Sequence, residues 1–564
     1  MATPPIPATE SQHRKDTIEQ ALRDGFNPYR VQRGGHGSAV REAERRLRES
    51  GHLPSNSQLD HWVRRQEKEC AAGRPHFLPD WSLFQAPGIP PAAASGTVRR
   101  FLLTAAQDDT VVHERFWGNL NAYAAVIGAE IMVGGFTYQK GLYEDHRTLT
   151  ASYVPAVQPF LRHAPVDLGE VLFVADVNIL PTAVDPLSGL DTHSRGRPAV
   201  FPHAKIRLKS VPTLVGDYTP VIMTTGACTV ENYIQKKAGI KARFHHVIGA
   251  TVVEIDAAGR WFMRTISAAA DGSFQDLDAI VVDGRVSRGN RVKAITWGDI
   301  HVGTVPDPIA ALSWGIDPDT GLSAARADAV IDALRPEYQF FHDLLDFPQS
   351  SRHTDGDPHH WFEMVTTGRA SMQDHVADGA RFLRAAGREF CRSVVVESNH
   401  DERLARWMRE PGGRSDPINL RYWHECNLAQ AHATEHGDAD FNLVRWALAR
   451  EDPAALAGID FVPVGGSFVL CQDRGGIECG PHGHLGPNGS RGAPQAHKRT
   501  ASRMNIGHLH APEIVDGVYV AGVNGSLDQG YNKGASSWAH ADIVTYGNAK
   551  RTILIKSRDG AWRA

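Results

Sequence analysis

KAITWGDIH, residues 293–301, is the stretch on which the reading of this chain turns. A short β-prone run, Lys293–Trp297, leads into Gly298-Asp299-Ile300-His301. In an extended chain residues two apart share a face, so Asp299 and His301 can meet one divalent cation. Alone, such a D-x-H is weak, and ordinary solvated side chains are the plainer reading. The pattern recurs, however. Tyr338–His342 is an apolar strand that ends in His342-Asp343-Leu344-Leu345-Asp346. A carboxylate at such an end has two oxygens and can bridge two metals, or can simply be a solvated cap. Ser393–Glu397 runs into Ser398-Asn399-His400-Asp401, which offers a neutral oxygen, an imidazole facing substrate and a carboxylate to fix its tautomer. Two histidine groups follow late, Gly480-Pro481-His482-Gly483-His484 and Gly507-His508-Leu509-His510.

Helical patterns over 323–334, 373–386 and 402–409 alternate with these strands, and strands dominate from about Asp460. Alternation of this kind predicts a layered α/β domain over 291–564. Residues 97–290 carry strands at 98–104, 130–133, 171–175, 221–224, 250–255 and 279–282, with a helix at 113–127, and predict a preceding α/β accessory domain. Ala106–Thr110 (AQDDT) and Gly134–Gln139 (GGFTYQ) read as loops at strand ends. Residues 85–96 (QAPGIPPAAASG) form a Pro/Ala-rich linker, and 1–84 a small helical domain. Within that domain a helix at 38–50, a break at Gly51 and a second helix after Pro54 outline a helix-turn-helix, or a solvated helical appendage.

With 564 residues the chain is long enough for several cores, and a net charge of -4 argues against a protein that coats nucleic acid by bulk charge. The 6 cysteines include no C-x-x-C pair and fit a reducing compartment. The N-terminus has no apolar signal core, and no segment reaches the ~20 apolar residues of a spanning helix, so a soluble, cytoplasmic protein is expected. Neither G-x-S-x-G nor a P-loop motif occurs.

D-x-H, D-x-x-D, N-H-D, H and G-H-x-H, in that order and each after a strand, resemble the calcineurin-like metallophosphoesterase superfamily over about 292–556. The resemblance implies a four-layer β-sandwich flanked by helices. It implies two divalent ions, Mn2+ by preference with Fe or Zn as alternatives. Asp299, His301 and His510 would hold the first, Asn399, His482 and His508 the second, and Asp343 both. His484 rivals His482. His400 would be the catalytic histidine, oriented by Asp401. Two residues depart from the family pattern, His342 and Ser398, where glycine is usual before the bridging Asp and before the Asn.

The implied chemistry is in-line attack on phosphorus between two metals, with His400 as proton donor. Arg491, near His484, with Lys498 and Arg499 close by, is the candidate for gripping a substrate phosphate. HGHLGPNGSRG (482–492), QGYNKGASSW (529–538), YGNAKRTILIK (546–556) and the two 97–290 loops resemble tailed-phage first-step DNA-transfer proteins. That resemblance implies DNA as partner, a DNA nuclease as the activity, and the host cytoplasm as location. A phosphomonoesterase, a nucleotide phosphodiesterase and a non-catalytic DNA-transfer or assembly factor stay open, as does a homo-oligomer.

Overall fold

The computed structural model describes residues 98–138, 153–214, 219–351, 354, 356–500 and 502–564. The expected helical domain and linker over 1–96 lie outside them, as does Gln139 of the GGFTYQ loop.

The strands that lead into the first three motifs lie in one six-stranded sheet, and those before the late histidine groups, Ile477–Glu478 and Met504–Ile506, lie in another. The order of the six-stranded sheet is Asp460–Val462, Arg392–Val396, Tyr338–His342, Ala294–Thr296, Ala541–Thr545, Arg551–Ile555. The first four run parallel, and the last two are antiparallel additions. Alternation along each strand sorts the two faces. Ile295, Phe341, Val395, Val544 and Leu554 pack against the helices Asp307–Trp314, Val330–Leu334, Met372–Ala386, Arg403–Arg409 and Leu443–Glu451. Their neighbours Ala294, Phe340, Val394 and Val396, with Ile543 and Ile553, point the other way, onto further strands. The helix expected over 323–334 shortens to Val330–Leu334, because Ser323 is drawn into a bridge with Ile316.

Those further strands come from a five-stranded sheet and from a ten-stranded sheet that crosses the expected 290/291 boundary. Leu208–Ser210 pairs antiparallel with Glu513–Val515, Leu208 opposite Ile514 and Lys209 opposite Glu513. Buried Arg207 fixes the seam, donating to Ile514 O at 2.9 Å and pairing with Glu513 at 2.8 Å. The accessory stretch and the motif-bearing stretch therefore share a sheet and a core.

The rest of 97–290 holds the five-stranded sheet, with the order Trp261–Ser267, Gly249–Ile255, Arg99–Gln107, Ala129–Phe136, Leu161–Arg162, and a small antiparallel one of Phe274–Asp276, Ala279–Val282 and Arg285–Ser287. Helix Glu114–Ile127 crosses between two parallel strands and is stopped by Gly128 at φ 64°. Trp261–Ser267 was absent from the expected strands because Arg264 interrupts its apolar run. The structure buries that guanidinium between Asp276 (2.6 Å) and Glu254 (2.5 Å). Among the described residues no helix is long and apolar enough to cross a membrane. The chain is a mixed α/β protein of several sheets.

Candidate metal centre

The motifs converge where strands of the six-stranded and the ten-stranded sheets end. Asp299, His301, Asp343 and His510 are all buried, and one ligand atom from each lies within 4.8 Å of every other. His510 Nε2 stands 3.2 Å from Asp299 Oδ2 and 3.9 Å from Asp343 Oδ2, and His301 Nε2 is 3.6 Å from Asp343 Oδ2. On the other side of Asp343, His482 Nε2 is 3.3 Å from Oδ1. The His508 ring lies 5.3 Å from that of His482, and the His484 ring 5.4 Å. Asp343 thus has one oxygen toward His301 and His510 and the other toward His482, and of the rival pair it is His482 that comes this near.

The expected extended geometry does not hold throughout. His301, Asp343, His508 and His510 have φ of 49°, 44°, 75° and 57°. The chain turns left-handed at each of these four candidates. Gly507 makes the close approach feasible, with its backbone against the Asp299 carboxylate. His508 N donates to Asp299 Oδ2 at 2.7 Å.

Whether these residues fit a metal can be asked of their unsatisfied atoms. Asp299 Oδ1, both Asp343 oxygens, Asn399 Oδ1, His482 Nε2, both His484 nitrogens and His510 Nδ1 are buried without a hydrogen-bond partner. Such orphans are costly unless something binds them. They are oxygen and imidazole donors with no thiolate, a set that suits a divalent transition metal. Burial, followed by repulsion from Asp343, pushes Asp299 up to about 6. Burial opposes a charge on His510, yet the neighbouring carboxylates of Asp299 and Asp343 lift it to about 9. Burial lowers His508 to about 4 and His482 well below the usual imidazole range, which leaves their lone pairs available. The fit is good: this buried Asp/His cluster can hold a metal ion.

Beside it stands a second constellation. His400 Nδ1 donates to Asp346 Oδ1 at 2.6 Å, and Nε2 accepts from Arg403 Nη2 at 3.2 Å. A carboxylate only accepts and a guanidinium only donates, so the neutral His400 tautomer is fixed. Asp346 Oδ1 also lies 3.3 Å from His301 Nδ1 and 3.2 Å from Arg403 Nη1. This corrects the expected role of Asp401. Its carboxylate instead accepts from Leu345 N at 2.9 Å and from Ser398 N at 3.1 Å, and Ser398 Oγ donates to it at 2.8 Å. Burial, and then the Asp343 charge, push its pKa well up. Ser398 strengthens the turn that glycine was expected to make.

Arg491 is not brought into the cluster either. It is exposed and bridges Leu485 through its backbone. Lys498 is paired with Asp516 at 3.2 Å, and Arg499 is exposed. The buried cation at the site is Arg403, the first residue of helix Arg403–Arg409, and its N donates to His400 O at 3.0 Å across the preceding turn. Asp346 was quoted in its motif without a role. His342 went unassigned as well, and its Nδ1 lies 3.3 Å from His482 Nδ1.

Over 470 residues the chain is 36% identical to "Protein A1" of Escherichia phage T5, a match that covers 81% of each chain. The chain belongs to the family of that phage protein. No family model matches it, and no solved structure does. The relationship makes it a phage-related protein.

Proposed function

We propose that this protein is a two-metal phosphodiesterase of the calcineurin-like type, acting on DNA during phage DNA transfer. The observation that carries the proposal is the set of buried, unpartnered oxygens and imidazole nitrogens around Asp343. Asp299, His301, His510 and Asp343 would hold one divalent ion, Mn2+ by preference, and Asp343, Asn399, His482 and His508 the other. Two such ions supply charge for phosphate oxygens and a nucleophile at neutral pH. The chain's own part is proton control. Asp346 accepts the His400 Nδ1 proton, so Nε2 is the nitrogen that would take a proton from water and pass it to the leaving oxygen. Arg403 places a positive charge beside that nitrogen, where a phosphate's charge would be met. The relation to a phage protein supports DNA as the substrate over a phosphoprotein or a small nucleotide.

The test is a side-by-side assay on plasmid, oligonucleotide, cyclic nucleotide and p-nitrophenyl phosphate. EDTA should abolish cleavage of the DNA substrates, and Mn2+ should restore it. DNA cleavage that persists in metal-free protein, or cleavage of the small esters alone, would overturn the reading.

A further inference from the structure

Trp538 packs edge-on against the metal-ligand candidate His510, with ring centroids 4.2 Å apart. The same indole also lines a cavity of about 340 Å³ that contains none of the metal-ligand candidates. The opposite wall comes from the accessory stretch, where residues 258–261 turn between two strands of the five-stranded sheet and deliver Trp261. The volume falls in the range of small-ligand pockets, about 300–1,000 Å³.

The lining selects the ligand. Two indoles, Trp261 and Trp538, line the cavity. His540 Nδ1 donates to Val523 O at 2.8 Å, so its Nε2 is an acceptor in the wall. Lys556, also in the wall, is held by Asp542 at 2.7 Å and is no free anion site. Arg260 is held by Asp256 (2.6 Å) and Asp559 (2.9 Å). A phosphate entering here would meet the carboxylates of Asp559 and Glu170 as well as the arginines. A flat, uncharged heteroaromatic ring with donors and acceptors on its edge would meet only complementary groups.

We infer that this cavity takes one nucleobase of the DNA strand whose phosphate lies at the metal centre, stacked on Trp261 or Trp538. The inference rests on the proposed function and adds a subsite to it. It also gives the accessory stretch a role, since residues 258–261, with Glu170 and Thr219, line the cavity.

The test uses the full-length His400→Ala chain loaded with Mn2+, so that DNA is held and not turned over. A single-stranded oligonucleotide carrying one 5-iododeoxyuridine is photocrosslinked to it, and the joined peptides are mapped by mass spectrometry. Crosslinks should fall on Trp261 or Trp538. In the same background Trp261→Ala should weaken binding by at least about fivefold, and Trp261→Phe, which keeps a ring, should restore most of it. An oligonucleotide with abasic sites should bind as weakly as the Trp261→Ala complex does. Crosslinks confined to other peptides, or equal affinity for normal and abasic DNA, would overturn the inference while leaving a Mn2+-dependent nuclease intact. DNA that does not bind at all would overturn both. If Trp261→Ala fails to fold, the crosslink map and the abasic comparison still decide.

Discussion

Gly507→Ala tests the metal centre through its backbone, with every proposed ligand left in place. A Cβ at Gly507 would lie 2.2 Å from Asp299 Oδ1, whereas ordinary contact begins at 3.4 Å, so the carboxylate must retreat by about 1.2 Å. The same Cβ would meet His342 Cβ and Cγ at 3.2 Å, which closes the other direction. Asp299 has little freedom to follow. Its N donates to Gly522 O at 3.1 Å, and its O accepts from Asn524 N at 2.7 Å. Retreat breaks the His508 N hydrogen bond to Oδ2, a charge-assisted bond worth about 1.5–3 kcal/mol. It also moves a ligand oxygen far beyond the ~0.2 Å tolerance of a metal bond. Disturbing a ligand's support costs roughly 10–100-fold in metal affinity. At a Mn2+ concentration near 100 times the native Kd, bound metal adds about 2.7 kcal/mol of stability. A site weakened ~100-fold gains only about 0.4 kcal/mol at that concentration. Melting curves of both proteins with EDTA and with Mn2+, beside elemental analysis, measure the difference. A variant that shows the native Mn2+-dependent gain would refute Asp299 Oδ1 as a ligand.

Three further outcomes are expected. Asp343→Asn should lose both metals, because it removes the charge they would share, while His400→Ala keeps them and loses turnover; equal metal loss in both would make His400 a ligand. Asp346→Ala should lower turnover to about the level of His400→Ala, roughly 10²–10⁴-fold down, with the double variant no worse than either; Asp401→Ala should instead lower the unfolding midpoint, since Leu345 N and Ser398 N each lose a buried acceptor at about 1–3 kcal/mol. Arg264→Leu should cost about 3–5 kcal/mol near pH 7 by stranding Glu254 and Asp276. Although Glu254 is buried, Arg264 and then Arg100 hold its carboxyl below its ordinary value. Its contribution is therefore complete above about pH 4.3, the unfolded value, and is lost as pH falls through the folded one. The gap between native and Arg264→Leu denaturation midpoints should narrow as pH drops below about 4, and a constant gap would refute the pairing.

The ligand-bearing strands were legible because each couples a short β-prone run to polar residues at its end. Tyr338–His342 occupies the residues expected, and the strand at 393–397 is displaced by one. Partner choice was not legible. Period-two alternation says which face of a strand is buried and not which strand lies beside it, so Leu208 opposite Ile514 could not be read from either segment. The same gap misplaced the carboxylate at His400. Asp401 is its sequence neighbour, but that side chain is spent on backbone donors of its own turn. Asp346 comes from another strand end. Helix Leu420–Glu435 was missed because its apolar residues do not keep to one face. Leu428 stays exposed while Tyr422 and Cys426 are buried.

Four proposed ligands with positive φ are an unusual concentration of strain, of order 1–3 kcal/mol each for non-glycine residues. Glycine would relieve it at any of them and would remove the donor. The surrounding backbone sustains it. His301 N donates to Asp343 O at 2.8 Å, Gly507 N to His482 O at 2.8 Å, and Ala539 N to His510 O at 3.2 Å. Behind them Asp542 accepts from Gly298 N and Asn524 Nδ2, each at 3.0 Å, and pairs with Lys556 at 2.7 Å. Each of these bonds joins two of the segments that supply ligands, or braces one from behind. The candidate donors are therefore aimed by the sheet ends themselves. What an ion would supply is the positive charge that Asp299 and Asp343 otherwise draw from His510, and partners for the oxygens that have none.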